Sequence, residues 1–433
     1  MTPRWTIPDG PYRLARARIP AASTDLAGAP DPEGFLTADL WIDRGRIGFA
    51  GPAEAPTVDL AGAVVLPGFV DCHTHLDKGH IWPRQGNPDG TFDGALAAVQ
   101  ADREARWRAA DVAARMDFAL RCAYAHGTVA IRTHLDSRGK QTAISWGVFR
   151  EMRAEWRGRI ALQAAALTTA DQLLTPEFDA IVAEVAASGG VLGCVTFPMP
   201  DLPARLDAFF AIANRHGFDV DFHVDETADT ASNTLRAIAE AALRTGFEGR
   251  ALCGHCCSLA NQPEAEADRT MDLVARARLD VVSLPMCNMY LQDRNAGRTP
   301  RWRGVTLVHE LAVRGVRVSF ASDNTRDPFY AYGDLDMLEV MREATRTAHL
   351  DHPFGAWPAA FARRPAEAMG LAAGVIAEGA PADLVIFPAR RWGELLSRPH
   401  GDRLVLREGR PLDAGPPDYA DLDALFDRLP EPA

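Results

Sequence analysis

Leu66-Pro67-Gly68-Phe69-Val70-Asp71-Cys72-His73-Thr74-His75-Leu76-Asp77-Lys78 carries an apolar run through a Pro-Gly step into two histidines set one residue apart, where the run turns polar. Side chains two apart on a β-strand share a face. His73 and His75 at a strand end can therefore present two imidazoles to one metal ion. Taken alone, the pattern fits a ligand pair or two ordinary histidines, one in a core and one in a loop. The rest of the chain has to decide.

Outward from this stretch, apolar strand-like runs alternate with amphipathic helical windows, as in a parallel sheet built from βα units. The runs cover 64–75, 128–134, 159–167, 190–197, 219–223, 251–255, 280–285 and 316–323. Helical windows over 203–216 and 231–245 carry apolar residues at three- and four-residue spacing. Eight strands with intervening helices predict an α/β chain folded as a (β/α)8 barrel, with its active site at the carboxyl ends of the strands.

The two ends of the chain read differently. Residues 11–65 form short alternating segments broken by turns such as Asp43-Arg44-Gly45, and Leu384-Val385-Ile386-Phe387 and Arg403-Leu404-Val405-Leu406-Arg407 repeat that texture. Such segments at opposite ends can pair into one small β-sandwich. The expected units are therefore 1–66 and 371–433, which share a sandwich, and 67–370, which forms the barrel.

Composition limits the function. A chain of 433 residues, 47% hydrophobic, can bury one large core and one smaller one. It has no apolar run of about 18 residues, and Met1-Thr2-Pro3-Arg4 does not lead into an apolar leader, so neither membrane insertion nor export is expected. A net charge of −12 argues against nucleic acid as a partner. Seven irregularly placed cysteines suit reduced thiols in a cytoplasm rather than a disulfide framework. Cys253, Cys256 and Cys257 lack the second pair that a four-sulfur zinc site needs, and they are expected to be buried thiols.

The candidate ligands follow the strand count. His223 ends the fifth run, His255 the sixth, and Asp323 the eighth. Singly, His223 could be a core histidine and Asp323 a helix N-cap. On a barrel, however, His73, His75, His223, His255 and Asp323 converge on one rim. His126, His216, His309, His349, His352 and His400 fall on helices or loops, where most are expected at the surface.

With these residues in place, the chain resembles the amidohydrolase superfamily and, within it, the cytosine deaminase group. The motifs that carry the resemblance are Pro67-Gly68-Phe69-Val70-Asp71-Cys72-His73-Thr74-His75-Leu76-Asp77, Arg132-Thr133-His134-Leu135-Asp136, His223-Val224-Asp225-Glu226 and Gly254-His255. Two more are Asn288-Met289-Tyr290-Leu291-Gln292-Asp293-Arg294 and Ser322-Asp323-Asn324-Thr325-Arg326-Asp327-Pro328-Phe329. The resemblance implies the barrel with its terminal sandwich, and one divalent metal, Zn2+ or Fe2+, held by His73, His75, His223 and Asp323. It implies that metal-bound hydroxide attacks an amino-bearing ring carbon and that ammonia is released. Glu226 then shuttles a proton to the ring nitrogen, His255 orients or deprotonates the water, and Asp323 relays a proton to the leaving group. The fourth run has no Lys of the kind that bridges two metals in some relatives, so a single metal is expected.

Two positions depart from the cytosine deaminase pattern. Asn324 stands where that group has a second carboxylate, and Thr169 where it has a Gln. Asn donates as well as accepts, so the ring it reads must differ. The implied substrate is a small amino-substituted N-heterocycle: cytosine or a cytosine-like, creatinine-like or purine-analogue ring. The alternative is release of an alkylamine from an N-alkylammelide type s-triazine, or opening of a cyclic amide. Gln292, Asn288, Phe329 and the loop Asp77-Lys78-Gly79-His80-Ile81-Trp82 are further substrate-contact candidates. The resemblance also implies a small-molecule substrate as partner and a homo-oligomeric enzyme.

Overall fold

Eight short, mostly apolar stretches in the middle of the chain become parallel strands. In the computed structural model, which describes residues 4–426, β1 (Phe69–Thr74), β2 (Thr128–Asp136) and β3 (Ala161–Leu167) form one parallel sheet. A second parallel sheet contains β4 (Leu192–Thr196), β5 (Val220–Val224), β6 (Ala251–His255), β7 (Asp280–Ser283) and β8 (Val318–Phe320). Parallel bridges Ala165↔Val191 and Thr169↔Val195 tie the β3 edge to the β4 segment, and Thr74↔Asp323 ties β1 to the residues after β8. Every residue of β1, β5, β6, β7 and β8 is buried, as expected for parallel strands covered on both faces. The chain is an α/β fold with parallel strands. The first three and last seven residues, which the expected terminal units include, lie outside the described residues, as do the opening residues of the predicted lead-in.

The helices cover this layer with the expected spacing. Leu202–His216 buries Leu206, Phe209, Phe210 and Ala213, and both phenylalanines meet Phe222 of β5 at ring separations of 5.0 and 5.8 Å. The predicted window over 231–245 begins later than expected, at Thr234. The cause is Asp225, just beyond β5. Its carboxylate accepts from the backbone N–H of Thr234 (2.9 Å) and Leu235 (3.0 Å) and from the hydroxyls of Ser232 and Thr234 (both 2.7 Å). A carboxylate at a helix N-terminus satisfies otherwise unpaired N–H groups and meets the positive end of the helix dipole.

The run over 64–75 was expected as one strand and is two. Val64–Pro67 pairs antiparallel with Leu384–Phe387, and β1 starts after Gly68. At Gly68 a Cβ would fall 2.2 Å from Val129 Cγ1, so only glycine lets the chain pass there from one sheet to the other. The terminal segments form a single eight-stranded sheet, ordered Arg410–Pro411, Leu404–Arg407, Leu384–Phe387, Val64–Pro67, Tyr12–Pro20, Phe35–Asp43 and Arg46–Gly48, with Thr57–Asp59 also on Tyr12–Pro20. Both ends therefore contribute to one sheet with its own core, which includes Leu14, Leu40, Ile42, Val65, Leu384, Ile386 and Leu406.

All seven cysteines are free and buried, and among the described residues no metal-competent cluster includes a cysteine. Nor, among those residues, is any helix long and apolar enough to cross a membrane. Of the six histidines expected largely at the surface, His400 is buried, with its ring 5.8 Å from that of Phe387 and Nε2 3.2 Å from the carbonyl of Glu394.

Candidate functional site

The β1 strand delivers His73 and, one residue past its end, His75; β5 delivers His223, β6 ends on His255, and Asp323 follows β8. The backbone itself joins the first and last of these, because Asp323 N–H donates to the His73 carbonyl at 2.9 Å. His255, Asp225 and Asp323 adopt positive φ (68°, 49° and 65°), a region that non-glycine residues seldom occupy and that aims their side chains off the strand ends.

Ligand atoms of His73, His75, His134 and His223 lie within 4.8 Å of one another, and so do those of His73, His255 and Asp323. Asp323 Oδ1 stands 3.2 Å from His75 Nε2 and 3.6 Å from His73 Nε2, while His75 Nε2 and His223 Nε2 face each other at 3.2 Å. Both nitrogens of His73, both carboxylate oxygens of Asp323, Nδ1 of His75 and His223, and Nε2 of His255 are buried without a hydrogen-bond partner. Buried polar atoms are ordinarily paired, so so many orphans around one point fit a cation. Burial holds His73, His75 and His223 well below the usual imidazole range, helped by neighbouring histidines and, at His75, by Lys78. Neutral imidazole is the ligating form. Burial pushes the Asp323 carboxyl up to about 7, with Asp327 adding to the effect. A dication would reverse that shift. Three imidazoles and a carboxylate suit zinc or ferrous iron.

His134 sits in the cluster, but both of its nitrogens are engaged. Nε2 is 3.0 Å from Asp221 Oδ1 and Nδ1 is 3.4 Å from the Thr74 carbonyl, while Arg132 donates to the other Asp221 oxygen at 2.9 Å. The motif around 132–136 was legible in the sequence. Its purpose, a buried Arg-Asp-His support behind the ligands, needed contacts between different strands.

Glu226 stands beside the cluster. Asn288 donates to its Oε1 at 3.0 Å and lies 3.1 Å from His255 Nδ1, and His255 Nδ1 is 3.4 Å from the same Glu226 oxygen. Burial, with Asp323 nearby, raises the Glu226 carboxyl well above its usual range, and burial holds His255 down to about 3.

A cavity of about 540 Å³ opens on these groups, within the size range usual for small-molecule sites. His75, His223, His255, Asp323, Glu226, Thr169, Asn324 and Phe329 all line it. His73 lies behind this wall and Gln292 outside it. The Gln292 amide instead donates to the Glu226 carbonyl at 3.1 Å, holding the loop rather than facing the cavity. Asn324 donates to Asp327 Oδ2 at 2.7 Å. Leu167, Val195, Phe197 and Val99 supply apolar walls.

Gly254 shows how tightly the site is built. A Cβ there would lie 2.8 Å from His73 Cε1 and 3.1 Å from its Nδ1. The Gly254→Ala enzyme is expected to fold, because this backbone suits alanine, but to bind metal about 10- to 100-fold more weakly through the displaced His73. Competition against a chelator of known affinity checks this.

A family model described as "Amidohydrolase family" matches residues 56–197 and 180–412. Pterin deaminase of Rhizobium rhizogenes (strain K84 / ATCC BAA-868) is 54% identical over 422 residues, which covers 96% of this chain and 97% of that protein. Among solved structures, 5-methylcytosine deaminase from Klebsiella pneumoniae with 5-fluorocytosine superimposes with a TM-score of 0.78 at 22% identity, covering 92% of this chain and 97% of that one. N-isopropylammelide isopropylaminohydrolase from Burkholderia multivorans ATCC 17616 gives 0.74 at 24% identity, covering 93% and 98%. At such identities the structural likeness concerns the fold alone.

Proposed function

The chain belongs to the amidohydrolase family, as a hydrolase of C–N bonds in cyclic compounds, and from that premise we propose that it deaminates a pterin-type ring, a 2-amino-4-oxopteridine, with release of ammonia. The observation that carries the substrate is the near-full-length, 54% identity to a pterin deaminase. A bicyclic ring is larger than cytosine, and the apolar-walled cavity of about 540 Å³ has room for it.

His73, His75, His223 and Asp323 would hold one Zn2+ or Fe2+, which when bound supplies a nucleophilic water at neutral pH. The chain's own groups handle the rest. Glu226, whose carboxyl is raised well above its usual range by burial and by Asp323, carries a proton to the ring nitrogen next to the attacked carbon. Asn288 fixes the Glu226 carboxyl against His255, and because the Asn288 amide N–H faces His255 Nδ1, the neutral ring carries its proton on Nε2 and orients the water by donating to it. Asp323 takes the proton of the added hydroxyl and passes it to the departing amine, so that the ring carbonyl forms as ammonia leaves. Thr169, Asn324 and Phe329 on the cavity wall contact the ring.

In the same reading, the parallel strands form a (β/α)8 barrel over 67–370, which the isolated bridges at the sheet edges support. The units 1–66 and 371–433 are read as one sandwich, which the shared sheet with its own core and the bulge between Leu14 and Ala17 support. The enzyme works in the cytoplasm as a homo-oligomer, and light scattering on the purified protein checks the assembly.

Ammonia release from pterin, cytosine, creatinine and N-isopropylammelide tests the function. Ammonia from pterin, with a 2,4-dioxopteridine as co-product, is expected. Isopropylamine from N-isopropylammelide, with pterin untouched, would instead select the alkylamine-releasing alternative.

A further inference from the structure

Lys78 is the buried cation of the cavity. Its side chain is 6% exposed and lines the same cavity as His75, His223 and Glu226. Asp136 Oδ1 lies 3.2 Å from Nζ, the Phe329 ring lies 5.3 Å from it, and Arg103 holds the other Asp136 oxygen at 2.7 Å. Asp77, whose Oδ2 accepts from the Asp136 N–H at 2.8 Å, adds a further carboxyl group. Burial alone would lower the Lys78 pKa, but Asp136, Asp77 and Asp327 more than offset this and keep the ammonium charged. The field of Lys78 reaches the reacting groups, acting on His75, His223, Glu226 and Asp323 alike. None of the proton roles above uses it.

An ammonium has three donors and no acceptor. Asp136 forms an ion pair with the ammonium at 3.2 Å, which leaves donors for a ligand in the cavity that Lys78 lines. A neutral heterocycle offers such a donor an oxo oxygen. When a nucleophile adds to the amino-bearing carbon, the electron pair displaced onto the ring nitrogen is shared by conjugation with that oxygen, and a preorganised cation there favours the transition state more than the ground state. A ring with an amino group in place of the oxo would set N–H donors against an ammonium that cannot accept.

We propose that Lys78 donates a hydrogen bond to the 4-oxo oxygen of the substrate ring, so that it both selects oxo over amino at that position and stabilises the charge that develops there. The inference rests on the deaminase reading above. The Asp136–Arg103 pair acts as a positioning device that fixes Lys78.

The test compares pterin with 2,4-diaminopteridine in the wild type, Lys78→Met and the Lys78→Met/Asp136→Asn double variant. The double variant guards against misfolding caused by the Asp136 oxygen that loses its cation when Lys78 is replaced, since Arg103 holds only the other one. The wild type is expected to prefer pterin strongly. Both variants are expected to lose about 100-fold or more in kcat/KM on pterin, as when one transition-state donor is removed. They are expected to lose little on the diamino ring, so the preference collapses. Equal losses on both rings, or a preference that survives in the variants, would overturn the inference and leave the deaminase reading standing. A wild type active on pterin without oxo preference would do the same. A wild type that deaminates no 2-amino-4-oxo ring overturns both.

Discussion

The His223→Ala enzyme is expected to be purified with little or no bound metal and to retain less than about 10⁻⁴ of wild-type turnover. A bound divalent ion brings the pKa of its water from about 15.7 toward about 7, and without the ion that gain disappears. His223 gives one of the imidazoles of the cluster, its Nδ1 has no hydrogen-bond partner, and its Nε2 faces only His75 Nε2 within the ligand group. Removing it therefore costs the fold little polar satisfaction. Metal content per chain together with the urea midpoint checks this. A variant with full metal occupancy, or one that is inactive because it is unfolded, would not fit.

The Glu226→Gln enzyme is expected to lose about 100- to 10,000-fold in kcat while keeping its metal, the range typical for removal of a general acid or base. Glu226 lies outside both ligand groups, so metal binding has no reason to change. The glutamine amide is nearly isosteric and its carbonyl can still accept from Asn288. It has no titratable proton to give the ring nitrogen and take back. Because burial and Asp323 raise the glutamate carboxyl well above its usual range, the pH profile of wild-type activity should carry a limb that reports this group, and that limb should be absent from the residual activity of the variant. Turnover near the wild-type level would refute the role. A loss of metal alongside the loss of activity would reassign Glu226 to the ligand set.

Much of the site was readable because its signals are local. A His-x-His at the end of an apolar run, a His closing each of two later runs and an Asp closing the last are visible without coordinates. The parallel-strand periodicity gives them a shared edge. What could not be read depends on contacts between distant segments. Asn288 showed itself only as a loop candidate, yet it clamps Glu226 to His255 from a different strand end. Gln292, grouped with the substrate contacts, turned out to brace the Glu226 backbone outside the cavity. The split of the run over 64–75 follows from Val129 pressing on Gly68, which no periodicity reveals. The late start of the helix at Thr234 follows from the reach of Asp225 across a loop. Cavity size was equally hidden.

The most direct test of the account is a metal titration of the apoenzyme with pterin as substrate. Protein stripped by a chelator is reloaded with Zn2+ or Fe2+ in steps, and ammonia release is recorded at each step. The account predicts no activity at the start and a linear rise that ends at one metal per chain, with one ammonia formed for each pterin consumed. Full activity in the stripped protein, or a metal-loaded enzyme that consumes pterin without releasing ammonia, would contradict it.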